Sequence, residues 1–386
     1  MPAQSTRREF LGQTTRVAAA SLLPRSALST SAADVNGPQS LRAHAEARGL
    51  LAGCAVIPEK LADEPAYANT VAQQANLLVA ENVMKWKTLR PAPDKYNFAP
   101  ADAILNFANA HDQRLRGHNL CWHEELPDWF RTTATPANAR RLLTDHIQRV
   151  AGHFAGKLHS WDVVNEAIDL KDGRPDGLRK SPWLELVGPD YIEIAFRAAR
   201  MADSTALLTY NDYGIELDTP DQAQKRARVL ALVTRLRLRG VPIHAVGVQS
   251  HLTAGEGIPG AGLRDFIREA RALNMQVFIT ELDVSDHKLA GSVAERDAAV
   301  GKLYGDYLDL VLAEPNVTAV LTWGITDKYT WLDGHHSRSD GQPQRPLLTP
   351  STSRLRPSLP CAKRSIPAVR HSPHLAVEPR FVVIEM

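Results

Sequence analysis

Residues 161–170 read WDVVNEAIDL, a run that begins like a buried β-strand and ends on two polar residues. Trp161, Val163 and Val164 supply the apolar part, and Asn165 and Glu166 follow before a helical pattern starts. A strand that leads into a helix is the repeating unit of parallel β-sheets, and in such sheets the reactive side chains stand at the carboxyl ends of the strands. The stretch therefore predicts a fold class, and it raises the question of what Glu166 does.

Seven further runs of apolar and β-branched residues resemble the strand that contains residues 161–164. The eight runs begin at Leu50, Leu77, Leu115, Leu158, Ala206, Ile243, Gln276 and Val317. Helical patterns lie between them, and two have clear start signals at Thr135–Pro136 and Thr219–Pro220, the second ending at Gly240. Eight strand–helix units in about 300 residues favour a closed (β/α)8 TIM barrel of the α/β class. Periodicity alone leaves an open doubly wound sheet as the alternative.

The composition excludes several classes of protein. The chain has 386 residues, 44% of them hydrophobic and 23% charged, with a formal net charge of +2. There is no stripe of lysine and arginine interleaved with aromatics, so we do not expect a nucleic-acid partner. No GxGxxG follows the first strand and no GxxxxGK[ST] occurs, which removes the usual nucleotide sites. Cys54, Cys121 and Cys361 are too scattered for a disulfide framework or a zinc site, and we predict no essential disulfide.

Residues 1–33 are similar to a twin-arginine export signal. Arg7 and Arg8 are followed by a short apolar stretch, and small residues suited to cleavage lie at 31–33. The apolar stretch is too short for a permanent membrane span, so we expect no anchor after the signal is removed. The predicted location is periplasmic or secreted. A basic amphipathic leader with no role in export is the alternative.

Polar and aromatic residues stand at the predicted carboxyl ends of seven strands. They are Glu81, Asn82 and Lys85; His118, Trp122 and His123; Asn165 and Glu166; Asn211; Gln249 and His251; Glu281 and Asp283; and Trp323. In a barrel all these positions face one mouth, where active sites are found. Seven strands with the same feature are stronger evidence than any single residue, because one polar residue at a strand end is often only a cap.

Two of these residues, Glu166 and Glu281, emerge from the fourth and seventh strands and can face each other across the mouth. Paired carboxylates suit acetal cleavage, in which one carboxyl is protonated to release the leaving group and the other is ionised. Each glutamate alone also fits a helix-start or salt-bridge role. The aromatics Trp86, Trp122, Trp323 and Trp331 follow or end strands and suit the faces of sugar rings, although ordinary packing at the rim explains one or two of them equally well.

Seven motifs in this order resemble glycoside hydrolase family 10, the endo-1,4-β-xylanases. They are ENVMKW, RGHNLCWH, WDVVNEA, LTYNDY, VGVQSH, ITELDV and LTWGITDKYTW, and the resemblance covers roughly residues 50–348. It implies a retaining mechanism in which Glu166 is the general acid/base and Glu281 the nucleophile. It also implies that Asn165 bonds the sugar 2-hydroxyl, and that His251, steadied by Asp283, keeps Glu281 ionised.

The same resemblance implies a set of substrate-binding residues. They are Glu81, Asn82 and Lys85 for the outer glycone xylose, His118, Trp122, Gln249, Trp323 and Trp331 as walls beside the scissile bond, and Tyr210 and Asn211 toward the leaving group. The implied substrate is xylan or a xylo-oligosaccharide, bound by a monomer without metal or cofactor. WHEELP at 122–127 lacks the second histidine of a zinc helix. A glucan- or mannan-cleaving barrel and a non-catalytic sugar-binding barrel are the alternatives.

The last part of the sequence departs from the family pattern. We interpret residues 34–348 as one catalytic domain and residues 349–386 as an atypical tail with prolines at 350, 357, 360, 367, 373 and 379. Prolines at this spacing interrupt every helix of useful length. The sequence therefore predicts that the eighth barrel helix is absent or is replaced by an irregular tail; a divergent but folded cap is the alternative.

Overall fold

A computed structural model describes residues 36–257 and 259–346 of the chain. The predicted export signal at 1–33, the predicted tail at 349–386 and Cys361 lie outside the described residues. The prediction about the eighth barrel helix falls on the same C-terminal part and remains a prediction.

Eight parallel strands form a closed barrel, which confirms the predicted (β/α)8 fold. The strands are β1 Leu51–Val56, β2 Leu77–Ala80, β3 Arg114–Cys121, β4 Ser160–Asn165, β5 Leu207–Asp212, β6 Ala245–Val248, β8 Gln276–Ser285 and β9 Val317–Thr322. A short strand, β7 His251–Thr253, continues β6 after an interruption of two residues and pairs with the end of β8. Consecutive strands pair in parallel, and pairing of β1 with β9 closes the ring. Each of the eight predicted runs overlaps one barrel strand.

Helices surround the barrel. They are α1 Leu41–Glu46, α2 Pro58–Asp63, α3 Pro65–Gln74, α4 Trp86–Leu89, α5 Ala99–Ala110, α6 Asp128–Thr133, α7 Ala139–His153, α8 Pro182–Val187, α9 Tyr191–Ala202, α10 Pro220–Leu238, α11 Ala261–Ala272, α12 Val293–Val311 and α13 Leu332–His335. The longer helices α3, α5, α7, α9, α10, α11 and α12 each return the chain from one of the first seven barrel strands to the next. Such crossovers are what parallel strands require.

The two predicted helix starts have different outcomes. Helix α10 begins as predicted, because the Thr219 hydroxyl accepts a hydrogen bond from the backbone N–H of Gln222 and Pro220 occupies the first turn. Helix α7 begins only at Ala139. The Asn138 side chain accepts from the Thr135 N–H at 2.8 Å and donates to the Thr133 carbonyl at 2.9 Å, and this turn replaces the predicted first turn of the helix.

Most of the apolar core lies between the barrel and the helices, because alternate residues of each strand face outward. Within β5, for example, Leu208 and Tyr210 belong to this outer layer. Cys54 and Cys121 are buried free thiols in the same layer, and burial raises the pKa of the Cys54 thiol to about 12. The barrel interior has a smaller apolar cluster, which includes Leu77, Val79 and Phe278.

Candidate active site

Glu166 stands directly after β4 in a left-handed backbone conformation, with φ +56°. This conformation is uncommon for a residue other than glycine, and here the neighbouring strand and loop hold it in place. The backbone N–H of Glu166 donates to the Asn211 carbonyl at 2.8 Å, and the Glu166 carbonyl accepts from Arg179 Nε at 2.8 Å. The turn points the Glu166 carboxyl into the mouth of the barrel.

The Glu166 carboxyl has three side-chain donors. Oε2 accepts from Trp122 Nε1 at 2.9 Å, and Oε1 accepts from Gln249 Nε2 at 2.9 Å and Asn165 Nδ2 at 3.1 Å. Burial raises the pKa of Glu166 above its ordinary value, the Gln249 and Trp122 bonds oppose that shift, and the nearby negative charges of Asp212 and Glu281 add to it. Glu166 is therefore suited to carry a proton at a pH where an exposed glutamate has lost it.

Glu281 lies within β8, on the other side of the mouth, and is also buried. Burial alone would raise the pKa of Glu281. Instead the pKa is lowered to about 2 by the hydrogen bond from His251, by the positive charges of His118 and His251, and by a bond from Asn211. Asn211 Nδ2 donates to Glu281 Oε1 at 2.8 Å, and His251 Nε2 lies 3.4 Å from Oε2. Glu281 is thus held as a carboxylate.

Side-chain amides connect the two glutamates. Asn211 Nδ2 donates both to Glu281 and, at 2.8 Å, to Asn165 Oδ1. Asn165 Nδ2 in turn donates to Glu166. Thr280 Oγ1 in turn donates to Asn211 Oδ1 at 2.7 Å, which fixes the orientation of that amide. The two carboxyls therefore belong to one network with a defined geometry.

A second chain of contacts supports the Glu281 side of the mouth. His251 Nδ1 lies 2.9 Å from Asp283 Oδ1, and Trp331 Nε1 donates to Asp283 Oδ2 at 2.7 Å. Burial by itself lowers the pKa of His251, but the charges and hydrogen bonds of Asp283 and Glu281 raise it well above its ordinary value. A protonated His251 is thus placed between two carboxylates, and the Trp331 ring packs edge-on against it with centroids 4.9 Å apart.

The predicted outer group of binding residues also comes together. Lys85 Nζ donates to Asn82 Oδ1 at 2.9 Å, and Asn82 Nδ2 donates to Glu81 Oε1 at 3.1 Å. The Lys85 ammonium lies 5.3 Å from the centre of the Trp122 ring and 6.0 Å from that of Trp323. This group is more exposed than the two glutamates, and it connects the loop after β2 to the aromatic side of the mouth.

His118 and Trp323 form the wall nearest the barrel interior, with ring centroids 5.3 Å apart in an edge-on contact. His118 Nδ1 lies 2.9 Å from Asp162 Oδ2, and the other oxygen of Asp162 forms a buried ion pair with Arg116. Sequence reasoning missed this Arg116–Asp162 pair. Its signal was available, since residues 116, 118 and 162 alternate with apolar neighbours on two adjacent strands and so face inward together.

One aromatic assignment, Tyr210, is wrong, and for Trp86 the packing alternative applies. Tyr210 is fully buried in the layer between barrel and helices, where its hydroxyl donates to Asp212, so it does not reach the mouth. The alternation of β5 explains this, because Asn211 faces inward and its neighbour must face outward. Trp86 is also buried, stacked between His146 and Trp183 with ring centroids 3.7 and 5.1 Å away.

An exposed aromatic and an arginine on the Glu166 side were missed. Tyr213, 38% exposed, stands where Tyr210 was expected to act, and its hydroxyl accepts from Arg179 Nη2 at 3.0 Å. The same guanidinium bonds the Glu166 carbonyl and Asp169. The sequence NDY at 211–213 carried the signal for Tyr213, whereas Arg179 lies in a loop where no pattern singles it out.

Among residues 36–257 and 259–346, no group of three or more His, Cys, Asp or Glu side chains is arranged to hold a metal ion. The described helices also include none that is both long and apolar enough to cross a membrane. The site instead presents two carboxyls of opposite protonation tendency, amide donors between them and tryptophan rings around them. Such a pair can deliver a proton on one side of a bond and a negative charge on the other.

Comparison with known proteins finds a family model, sequence relatives and solved structures that match this chain. The sequence model of glycosyl hydrolase family 10 matches residues 40–360. A "Beta-1,4-xylanase" of Dictyoglomus thermophilum is 37% identical over 274 residues, which are 69% of this chain and 75% of that protein. An "Exoglucanase XynX" of Acetivibrio thermocellus is 36% identical over 79% of this chain, but the chain spans only 28% of that relative's length. The crystal structure of xylanase 10B from Thermotoga petrophila RKU-1 in complex with xylobiose is similar with a TM-score of 0.74 at 34% identity, over 82% of this chain and 94% of that one.

Proposed function

This chain belongs to glycosyl hydrolase family 10, and from that membership we propose that it is an endo-1,4-β-xylanase that cleaves internal bonds of xylan with retention of configuration. The observation that carries the proposal is the pair of buried glutamates, Glu166 directly after the fourth barrel strand and Glu281 within the seventh. Their environments push the two pKa values in opposite directions. Such a division of roles is what a retaining glycosidase needs.

The proposed reaction has two steps. In the first, the Glu281 carboxylate attacks the anomeric carbon while Glu166 donates its proton to the departing glycosidic oxygen, which leaves a xylosyl ester on Glu281. In the second, the Glu166 carboxylate removes a proton from a water molecule, the water oxygen attacks the same carbon, and the Glu281 carboxylate is released. Two inversions give net retention, and both side chains return to their starting protonation states.

The substrate-binding roles are proposals that follow from position. Glu81, Asn82 and Lys85 form a connected polar group suited to the hydroxyls of an outer glycone sugar. Trp323 and Trp331 present rings beside the Glu281 side of the mouth, and Trp122 lies on the Glu166 side. Asn165 lies between the carboxyls and is suited to bond a sugar hydroxyl next to the scissile bond. On the leaving-group side we now assign the aromatic role to Tyr213 rather than Tyr210.

The test of the activity is incubation of the purified protein with xylan and with carboxymethylcellulose. We expect release of reducing sugar from xylan, with xylo-oligosaccharides as early products, and β-configured product at early times in a proton NMR experiment. Early α-configured product would contradict the retaining mechanism. A higher rate on carboxymethylcellulose would favour the second candidate, a β-1,4-glucanase, which the name of the Acetivibrio relative supports.

We also propose that the protein is exported by its twin-arginine-like leader. The support is the pair Arg7 and Arg8 ahead of a short apolar stretch, together with a proposed polymeric substrate that lies outside the cell. Replacing both arginines by lysine keeps the charge but removes the paired guanidinium groups. We expect the double variant to accumulate inside cells as uncleaved precursor, as judged by fractionation and immunoblotting. Equal export of the variant and the native chain would contradict the proposal.

A further inference from the structure

The sixth barrel strand is interrupted at Gln249 and Ser250, between β6 and β7. Ser250 has φ +67°, a conformation that is uncommon for serine. Its carbonyl accepts from the backbone N–H of Asp283 at 3.3 Å, and the Gln249 carbonyl accepts from that of Glu281 at 3.0 Å. The strand therefore stays paired with β8 through the interruption while one residue takes a left-handed turn. Irregularities of this kind re-aim the side chains around them.

The two residues that flank Ser250 are the partners of the two active-site glutamates. Gln249, on one side, donates to Glu166 Oε1 at 2.9 Å. His251, on the other side, lies 3.4 Å from Glu281 Oε2 and is paired with Asp283. In a regular strand, residues two apart lie on the same face of the sheet, so Gln249 and His251 both face the mouth. Ser250 joins them, so its left-handed turn sets the direction of one side chain relative to the other.

A buried carboxylate that the proposed reaction does not use holds this turn. Glu216, in the loop after β5, is 3% exposed, and its Oε1 accepts from the Ser250 backbone N–H at 3.0 Å. Its Oε2 accepts from the backbone N–H of Ile215 at 2.7 Å. Burying an ionisable carboxyl is costly unless its oxygens are hydrogen-bonded. Here its hydrogen bonds fix the backbone of its own loop and the backbone of the interrupted strand.

We propose that Glu216 is a positioning residue of the active site, which aims Gln249 at the acid/base glutamate and His251 at the nucleophile by holding the Ser250 N–H between them. The inference rests on the proposed function and deepens it. The hydrogen bonds of the Glu216 carboxylate go to the backbone N–H groups of Ile215 and Ser250, so it acts through the backbone of the interrupted strand. Its particular feature is that a single carboxylate supports the partners of both active-site glutamates.

Ser250 has a second attachment, which provides a matched control. Its Oγ lies 2.5 Å from the hydroxyl of Tyr307 on α12 and donates to the Val248 carbonyl at 3.2 Å. Replacing Tyr307 by phenylalanine removes one buried hydrogen bond from the same serine, yet it leaves the bond from the Ser250 N–H to Glu216 in place. A merely structural role of the region would make the two variants behave alike.

The expected readout is the pH dependence of activity. Besides the three glutamates, the charged and titratable groups that face the residues concerned include His118, Asp162, Arg179, Asp212, Lys225, His251, Asp283, Tyr304, Tyr307 and His336. Loss of the His251 contact removes an influence that lowers the pKa of Glu281, so the acidic limb of kcat/KM moves to higher pH. Loss of the Gln249 bond removes an influence that lowers the pKa of Glu166, so the alkaline limb moves upward too.

The decisive variant is Glu216→Gln, because glutamine has the same shape but offers only one acceptor oxygen to two N–H groups. We expect kcat on xylan to fall about 100-fold, with a smaller change in KM and both pH limbs moved upward. Tyr307→Phe is expected to lower the melting temperature without moving either limb. Unmoved limbs in Glu216→Gln, or the same movement in Tyr307→Phe, would overturn the inference. If Glu216→Gln does not fold, Glu216→Asp, which withdraws the carboxylate from Ser250, is measured in the same way.

A second measurement separates this inference from the proposed function. The protonation and tautomer of His251 can be followed by nitrogen-15 NMR of the imidazole in the native chain and in Glu216→Gln, with no substrate present. We expect the His251 pKa to fall in the variant, because its contacts with Glu281 and Asp283 loosen. An identical titration in both proteins would contradict the inference even if xylan is cleaved. Absence of glycosidase activity in the native chain, with a shifted His251 in the variant, would count against the proposed function alone.

Discussion

Glu281→Gln is expected to reduce kcat on every substrate by about 10^5-fold or more, because it removes the nucleophile of the proposed reaction. The structure gives the reason that no neighbour can replace it. Glu281 is the carboxylate whose pKa its partners lower to about 2, while the opposite carboxyl of Glu166 has its pKa raised. The loss should be as large for an activated aryl xyloside as for xylan, since both substrates need the same covalent intermediate. Initial rates on both substrates measure it.

The matched control is Glu269→Gln, which changes an exposed glutamate on the outer helix α11 and should leave the rate unaltered. A further test uses Glu281→Ala with added azide, which has room to attack from the vacated side. One inversion then gives an α-xylosyl azide from a β-aryl xyloside. Retention of more than about one hundredth of the native rate in Glu281→Gln, or a β-azide product, would show that Glu281 is not the nucleophile.

The strands and the two glutamates were predictable because both have strong local signals. Runs of buried apolar residues mark the strands, and a carboxylate at the end of such a run is conspicuous at Glu166 and at Glu281. The start of α7 was not predictable from the sequence. Whether the helix begins after Thr135 or after Asn138 depends on a turn that the Asn138 side chain forms, and such a turn has no periodic signal. Helix boundaries are the least regular part of any sequence pattern.

The burial of Tyr210 and that of Trp86 have different physical origins. Tyr210 was assigned by its closeness in sequence to Asn211, yet neighbours in a strand face opposite sides, so the rule that places Asn211 in the mouth excludes Tyr210 from it. Trp86 follows a strand end, but the short helix α4 turns it into the core against His146. The burial of Trp86 is decided by the packing of α4 against α7 and α8, which no local pattern in the sequence indicates.

Glu216 shows what a single sequence does not reveal. Its carboxylate acts on Ser250, which is 34 residues away along the chain, and the interruption of the sixth strand leaves no mark in the apolar pattern of VGVQSH. The nearby Glu166 was recognised because its own strand pointed it toward the mouth. Residues that act through the backbone of another element become visible only when the hydrogen bonds of that backbone are known.

Glu166→Gln is expected to have an effect that depends on the leaving group. On xylan the departing sugar oxygen needs a proton, so kcat/KM should fall by about 10^3- to 10^4-fold. On an aryl xyloside whose phenol is acidic, the first step needs little protonation and kcat/KM should remain within about tenfold of the native value, while kcat falls because no base activates water for the second step. The covalent intermediate then accumulates, and a burst of phenol equal to the enzyme concentration is expected in stopped-flow absorbance.

Two further results follow from the position of Glu166. The alkaline limb of kcat/KM on aryl xylosides should disappear, since that limb reports the loss of the proton that Glu166 holds through burial. Added azide should restore kcat by attacking the intermediate from the side that Glu166 occupies, and because this attack follows a first inversion the product should be a β-xylosyl azide. The amide oxygen of the variant can take the place of Oε1 and keep the bonds from Gln249 and Asn165, whereas Trp122, which donates to Oε2, loses its acceptor. Equal losses on xylan and on the activated xyloside, with no burst and no rescue by azide, would show that Glu166 is not the acid/base.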